Sequence, residues 1–172
     1  GTAIVTVEDS IAPTVVTQNM KVQLDANGTA TITAAQINNG SSDNCAIDTI
    51  AIDKTSFDCS NIGANTITLT ITDVNGSSST GTAIVTVEDS IAPTVITQNI
   101  IVQLDANGVA TITPEQINNG SSDNCAIASL DLDKTSFDCS NVGENTVTLT
   151  ITDVNGNTST GTAIVTVEDS IV

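Results

Sequence analysis

The sequence predicts an all-β protein made of tandem antiparallel β-sandwich domains with an 80-residue repeat. The decapeptide GTAIVTVEDS occupies residues 1–10 and returns unchanged at residues 81–90 and 161–170. Apolar and polar residues alternate within each repeat, most regularly at residues 66–72, which is the pattern of a half-buried strand. No stretch shows useful helical periodicity, so closely spaced strands without crossover helices indicate antiparallel sheets.

The same alternation predicts where the strands and the core of each repeat lie. In the first full repeat we expect strands over residues 15–24, 29–33, 47–54, 65–72 and 82–88, a short strand region over 55–62, and a leading strand over 3–7. Asn-Gly pairs at 27–28, 39–40 and 75–76 predict tight turns between them. The predicted core positions are Met20, Val22, Leu24, Ala30, Ile32, Ile50, Ile52, Ile67, Leu69 and Ile71, with Phe57 as the aromatic member.

Two prolines predict the domain boundaries. Pro13 and Pro93 each directly follow a copy of the segment EDSIA. Because proline cannot donate a backbone hydrogen bond to a sheet, these segments are predicted to be linkers. The predicted domains are therefore residues 11–90 and 91–170. Residues 1–10 are expected to be the last strand of a preceding repeat with its linker, and residues 171–172 the start of the next linker.

The charge of the chain excludes several classes of partner. The net charge is −17, and Lys21, Lys54 and Lys134 are the only basic residues. Nucleic-acid binding requires clustered Lys or Arg, and insertion into a membrane requires about 20 consecutive apolar residues, so neither is expected. The acidic side chains instead favour binding of divalent cations. The alternative is that they serve only solubility and keep neighbouring copies apart.

Four cysteines, one pair in each repeat, predict disulfides. The repetition favours pairing within each repeat, Cys45 with Cys59 and Cys125 with Cys139, because each domain is expected to fold alone. A bridge closing a loop of that size contributes about 3 kcal/mol in the chain-entropy model. Zinc is the alternative, but two cysteines without histidine form a poor tetrahedral set. Disulfides indicate an oxidising, extracytoplasmic location.

Acidic and amide side chains are expected to meet at one end of each domain. The linker, the loop before the third strand and the turn after the long central strand all reach this end, and their oxygen ligands without thiolate or imidazole favour Ca²⁺. The alternative is a set of solvated turns, because Asp-x-Asn-Gly is by itself usually a hairpin turn. The candidate ligands are Glu8, Asp9, Asp43, Asn44, Asp73 and Asn75 in the first set, and Glu88, Asp89, Asp123, Asn124, Asp153 and Asn155 in the second.

The residue types needed for catalysis are scarce. The chain has no histidine and no arginine, and it contains no nucleophile motif and no glycine-rich phosphate loop. Paired carboxylates alone occur in glycosidases, but such sites need a concave cleft that domains of this size seldom supply. The sequence therefore predicts that the chain is not an enzyme.

Several motifs resemble the hyalin (HYR) repeats of giant bacterial surface adhesins. They are Glu-Asp-x-x-Ala-Pro-Thr, Ser-Asp-Asn-Cys, Phe-Asp-Cys-Ser-Asn-x-Gly and Thr-Asp-x-Asn-Gly, and they cover essentially the whole chain in the family's order. The resemblance implies an immunoglobulin-like fold and a role in cell adhesion. Many members carry a second cysteine pair, where this chain has Thr17 with Gly81 and Thr97 with Gly161. The joint loss implies that those positions pair with each other, which leaves the pairing of Cys45 with Cys59 intact.

The function expected from these observations is a structural or adhesive stalk at the bacterial cell surface, with junctions stiffened by calcium. Its partners would be neighbouring repeats of the same chain and like chains in a filament. One alternative is an immunoglobulin-like module that binds a glycan or a protein, although the loops carry no exposed aromatic residue for such a ligand. Another is a fibre subunit that assembles by exchanging a terminal strand.

Overall fold

The computed structural model describes residues 1–170, so the predicted linker start at 171–172 lies outside the described part of the chain. These residues form two compact units that divide between Asp89 and Ser90. The fold is all-β, with two repeated sandwich-like units, as the alternation predicts. No helix within residues 1–170 has the length and apolar character needed to cross a membrane.

The first unit consists of six strands and one short helix. Its two longest strands cover residues 63–73 and 78–88, and a four-residue helix begins at the Thr33 cap, whose N–H donates to Gln36 Oε1 at 2.8 Å. Its elements are β1 Met20–Gln23, β2 Thr29–Thr31, α1 Ala34–Ile37, β3 Ile47–Ile52, β4 Ser56–Asp58, a 3-10 turn Cys59–Asn61, β5 Gly63–Asp73 and β6 Ser78–Glu88.

The second unit repeats this order with the same strand lengths. The correspondence follows from the 80-residue repeat, because equivalent apolar positions fill equivalent places in the core. Its elements are β7 Ile100–Gln103, β8 Val109–Thr111, α2 Pro114–Ile117, β9 Ile127–Leu132, β10 Ser136–Asp138, a 3-10 turn Cys139–Asn141, β11 Gly143–Asp153 and β12 Thr158–Glu168.

Each unit has a four-stranded sheet and a two-stranded sheet. In the first unit the strand order is β1-β6-β5-β3 in one sheet and β2-β4 in the other. The apolar faces of both sheets are buried, and Ile67, Leu69 and Ile71 of β5 are fully excluded from solvent, as predicted. Phe57 of β4 is also buried, so the single aromatic residue of the repeat belongs to the core.

Three strand predictions are corrected by the structure. Residues 3–7 form no strand, and Ile4, Val5 and Val7 are exposed; the identical sequence in β6 is a strand because β5 and β1 flank it. The β1–β6 pairing is parallel, unlike the other strand pairs of that sheet. Ile50 is 38% exposed because β3 is an edge strand, which neighbouring elements cover on fewer sides.

The predicted pairing of cysteines within a repeat is wrong in this structure. Cys45 and Cys139 are free, exposed thiols in the described chain, whereas Cys59 and Cys125 are disulfide-bonded. The two cysteines are too far apart to bond. Cys59 lies just before the start of β5, whereas Cys45 lies just before β3, whose first residue pairs with the last residue of β5. The eleven residues of β5 span about 33 Å. A disulfide requires Cα atoms within about 7 Å.

Candidate metal centre

The fold brings three predicted ligands of the first set to one end of the first unit. Asp73 is the last residue of β5, and its pairing with Ile47 places it beside the loop that carries Asp43. The segment before Pro13 reaches the same end, because the Asn44 amide donates to Asp9 Oδ2 at 3.1 Å. Three separate stretches of sequence therefore contribute one carboxylate each.

The spacing of these carboxylates suits a single cation. Asp9, Asp43 and Asp73 each offer one oxygen, and the three oxygens lie within 4.8 Å of one another. Oxygens that share one Ca²⁺ at about 2.4 Å are at most about 4.8 Å apart. One ion placed between the three carboxylates would contact all of them, and the donor set contains only the hard oxygen ligands that calcium prefers.

Asp73 is the buried member of the cluster, with 1% of its surface exposed. Its Oδ1 accepts hydrogen bonds at 2.8 Å from the backbone N–H groups of both Asn75 and Ser77, which forms the turn predicted from Asp-x-Asn-Gly. Its Oδ2 is buried and has no hydrogen-bond partner among residues 1–170. One oxygen of this carboxylate therefore builds the turn, and the other lacks a hydrogen-bond donor in the described part of the chain.

Asp43 divides its oxygens in the same way. Its Oδ2 accepts the backbone N–H of Cys45 at 2.9 Å, and its Oδ1 is buried without a hydrogen-bond partner in the described chain. Buried polar atoms are ordinarily hydrogen-bonded, and a buried carboxylate oxygen without a partner costs folding free energy. Two such oxygens in one cluster fit a site that a cation completes.

Asp9 is the more accessible member, and its carboxylate binds local donors. Its Oδ1 accepts the Ile11 N–H at 3.0 Å. A hydrogen bond with the Cys45 thiol, followed by the Ile11 bond, holds the pKa of Asp9 below its usual value. The same thiol–carboxylate contact raises the pKa of Cys45. Asp9 is therefore charged at neutral pH and available to a cation.

The side chains that could neutralise this cluster are engaged elsewhere. The chain has three lysines and no arginine or histidine. Lys21 Nζ pairs with Glu88 Oε1 at 2.5 Å, and Lys54 and Lys134 lie over the rings of Phe57 and Phe137 at 4.8 and 4.6 Å. Within the residues described, the charge of the three carboxylates is thus left for an external cation.

The remaining predicted ligands of the first set lie near the cluster or away from it. Glu8 and Asn75 line the same cleft as Asp9 and Asn44, but they are outside the group of close carboxylates. Glu88, a predicted ligand of the second set, accepts hydrogen bonds from Lys21 and Gln23 at 2.5 and 2.8 Å, and its role as a ligand stays a prediction. The hydrogen bond from Lys21 lowers the pKa of Glu88.

The second unit repeats the arrangement with one difference that was not predicted from the sequence. Asp123 and Asp153 also bring carboxylate oxygens within 4.8 Å of each other, and Asp153 is buried. Here the Asn157 amide donates to Asp153 Oδ2 at 2.8 Å, whereas the equivalent residue in the first unit is Ser77. The sequence does carry this difference, because Asn157 replaces Ser77 in two otherwise matching turns.

The other predicted ligands of the second set have local roles or remain predictions. The backbone N–H of Asn155 binds Asp153 Oδ1 at 2.8 Å, and the Asn124 amide lies 3.8 Å from the Cys125 sulfur. Burial raises the pKa of Asp153, but the hydrogen bonds from Asn157, Asn155 and Gly156 outweigh it and lower the pKa overall. Asp89 belongs to the first unit, so its place in the second set stays a prediction from the repeat.

Comparison with known proteins gives structural neighbours of low sequence identity. No family model matches the chain, and no curated protein matches it. Similar solved structures include Drosophila N-cadherin EC1-4, with a TM-score of 0.46, 12% identity and coverage of 92% of this chain and 50% of that one. Human Protocadherin-24 EC1-2 has a TM-score of 0.45 and 11% identity, covering 94% of this chain and 100% of that one.

Another similar solved structure is that of Protocadherin Gamma B7 extracellular cadherin domains 1-4. Its TM-score is 0.41 at 13% identity, and the match covers 92% of this chain and 51% of that one. This chain therefore spans about half the length of that structure.

Proposed function

We propose that this chain is part of a structural or adhesive stalk of tandem repeats, in which each repeat holds one calcium ion at the end where the preceding segment enters. The observation that carries the proposal is the pair of buried carboxylate oxygens without hydrogen-bond partners, Asp43 Oδ1 and Asp73 Oδ2, beside Asp9. Asp9 lies before Pro13, whereas Asp43 and Asp73 lie in the domain. A shared ion would therefore restrain the entering segment.

A bacterial cell-surface location is part of this proposal. The disulfide-bonded cysteines support an oxidising, extracellular compartment. The resemblance to HYR repeats supports a bacterial adhesin, and the near-identity of the repeats suits a device whose useful property is its length. The lack of histidine and arginine supports a role without catalysis.

Calcium titration of Asp73→Asn tests the metal centre. Asparagine keeps an oxygen for the Asn75 and Ser77 N–H groups but removes the charge, so the turn is retained while binding weakens. We expect isothermal titration to show either one ion fewer per chain or a loss of at least about tenfold in affinity at one site, because a carboxylate supplies both charge and ligand. Hydrogen exchange at the Ile11 N–H should slow on adding calcium to the wild type.

The matched control is Asp25→Asn. Asp25 begins the same Asp-x-Asn-Gly turn and accepts the N–H groups of Asn27 and Thr29 at 2.9 and 3.0 Å, but it is exposed and outside the carboxylate cluster. Its replacement should leave calcium binding unchanged. If Asp73→Asn also binds calcium with unchanged stoichiometry and affinity, the carboxylates are solvated turns and the proposed centre is wrong.

A further inference from the structure

The Asn-Gly pairs of the two units fall into two groups by the surroundings of the glycine nitrogen. A backbone nitrogen that follows asparagine can attack the asparagine side chain, and glycine permits the attack because it has no side chain to block it. Some of the pairs belong to Asp-x-Asn-Gly turns, and the others lie in the loop after each short helix. The first group is Asn27, Asn75, Asn107 and Asn155, and the second is Asn39 and Asn119.

Hydrogen bonding protects the glycine nitrogen in the Asp-x-Asn-Gly turns. Each of these glycines donates its N–H to the carbonyl of the aspartate three residues before it, at distances from 2.9 Å for Gly28 to 3.3 Å for Gly156. The aspartate side chain also accepts the N–H of the asparagine, at 2.9 Å in the turn that Asp25 begins. Attack requires the glycine N–H to lose its proton, and the hydrogen bond must be broken first.

The glycines of the other two pairs have no such protection. Within residues 1–170, neither Gly40 nor Gly120 donates its N–H in a hydrogen bond, and Asn39 and Asn119 are exposed. A Cβ atom built on either glycine would meet no atom within 4 Å apart from its neighbours in the chain, so the surrounding space is open. The nitrogen of each glycine is therefore available to the side chain of the asparagine before it.

We propose that Asn39 and Asn119 are modification sites, at which the chain converts asparagine to isoaspartate without an enzyme. The backbone nitrogen of the following glycine bonds to the side-chain carbonyl carbon, and the side-chain amide leaves as ammonia, which gives a succinimide ring. Water opens this ring at the main-chain carbonyl to give isoaspartate, or at the side-chain carbonyl to give aspartate. The net reaction consumes water and releases ammonia, with no oxidant or reductant.

The altered bond lies between two contacts that hold the segment entering the first unit. The Asn39 N–H donates to the Val16 carbonyl at 2.8 Å, and the Val16 N–H donates to Ser41 Oγ at 2.9 Å. Isoaspartate lengthens the main chain between residues 39 and 40 by one atom, so both contacts cannot keep their hydrogen-bond geometry. The second unit repeats both contacts at Ile96, each at 2.8 Å. Modification therefore loosens the entering segment of each unit, and no candidate calcium ligand takes part.

Ageing of the 172-residue chain at mildly alkaline pH tests the choice of sites. Peptide mapping with an isoaspartate methyltransferase measures the reaction at every Asn-Gly pair. We expect Asn39 and Asn119 to react roughly tenfold faster than the turn asparagines, because breaking one hydrogen bond of ordinary strength slows a reaction by about that factor. In urea, where the turns are unfolded, all the pairs should react at similar rates.

Hydrogen exchange at the Val16 N–H tests the loosening. In chains that carry isoaspartate at position 39, this N–H should exchange at least about tenfold faster than in fresh chains, because its hydrogen bond to Ser41 is weakened. The matched control is Asn39→Gln, since the longer side chain needs a larger ring and reacts far more slowly. After the same ageing, this variant should keep slow exchange at Val16 while Asn119 still reacts.

Two results would overturn the proposal. Equal rates at all the Asn-Gly pairs of the folded chain, or a faster reaction at Asn27 than at Asn39, would show that these turns do not select the sites. Unchanged exchange at Val16 in chains with isoaspartate at position 39 would show that the entering segment is not loosened. Both measurements are made in EDTA, so their outcome is separate from that of the calcium centre.

Discussion

The two candidate calcium ligands at the ends of β5 and β11 differ in the residue four positions after each, which is Ser77 in the first unit and Asn157 in the second. Asp73 and Asp153 occupy equivalent positions and accept the same two backbone N–H groups at 2.8 Å. Only Asp153 also receives a side-chain amide on Oδ2, because Asn157 replaces the serine at position 77. The donor partly satisfies in the second unit an oxygen that has no partner in the first.

We therefore expect Ser77→Asn to weaken calcium binding at the first unit. The new amide would donate to Asp73 Oδ2 and compete with the ion for that oxygen, and one competing hydrogen bond to a charged group corresponds to about 2 kcal/mol, or roughly thirtyfold in affinity. Calcium titration of the variant measures the change. Ser77→Thr adds bulk without an amide and should bind as the wild type does; equal weakening by both variants would contradict this explanation.

At the scale of elements, β6 depends on a glycine that lets the segment before β1 approach. A Cβ built on Gly81 would lie 2.8 Å from Val15 Cγ1 and 3.2 Å from Thr17 Cγ2. Thr17 also donates its hydroxyl to the Thr82 carbonyl at 2.7 Å, so this contact fixes the incoming chain against β6. The resemblance to HYR repeats implied that positions 17 and 81 are neighbours, and the Gly81 backbone does lie against the Thr17 side chain.

Gly81→Ala should accordingly destabilise the first unit by about 1–3 kcal/mol, the usual cost of overpacking a close contact. Urea unfolding measures the loss. Adding Val15→Ala removes Cγ1 and should recover part of the stability, giving a favourable coupling between the two substitutions. Additive losses in the double variant would show that crowding against Val15 is not the cause.

At the scale of the whole molecule, each unit has a core that excludes the candidate metal ligands, apart from Asp73 and Asp153 at the ends of their strands. The buried apolar residues of the second unit, among them Leu149, Ile151 and Val165, form one cluster around Phe137. Folding of each unit therefore rests on apolar burial, and a bound ion adds to it.

Removal of calcium by EDTA should leave the β-sheet circular dichroism intact. Stability should fall by the binding contribution, about 2.7 kcal/mol per site when calcium is present at 100 times its dissociation constant. Thermal unfolding with and without EDTA measures both effects, with magnesium as the control cation. Loss of the β-sheet signal in EDTA would show that the metal is required for the fold itself.

The sequence alone determined the local structure and the composition of the candidate site. Alternation in residues 66–72 identified Ile67, Leu69 and Ile71 as core, because side-chain direction in a strand depends only on sequence spacing. The Asn-Gly pairs also predicted turns, because glycine tolerates positive φ angles. In the structure Gly28 and Gly76 adopt φ angles of 71° and 93°. Strand directions then predicted that Asp9, Asp43 and Asp73 meet.

Only the tertiary structure decided which groups become partners over long distances. Cys45 and Cys59 are close in sequence, but β3 carries the chain along the unit between them, so sequence proximity pointed to the wrong bridge. Residues 3–7 and 83–87 are identical, yet only the second segment is a strand, because pairing depends on the strands beside it. Glu88 likewise bound Lys21, 67 residues away, once β1 aligned with β6. Such pairings depend on the folded positions of distant segments, which a local pattern does not encode.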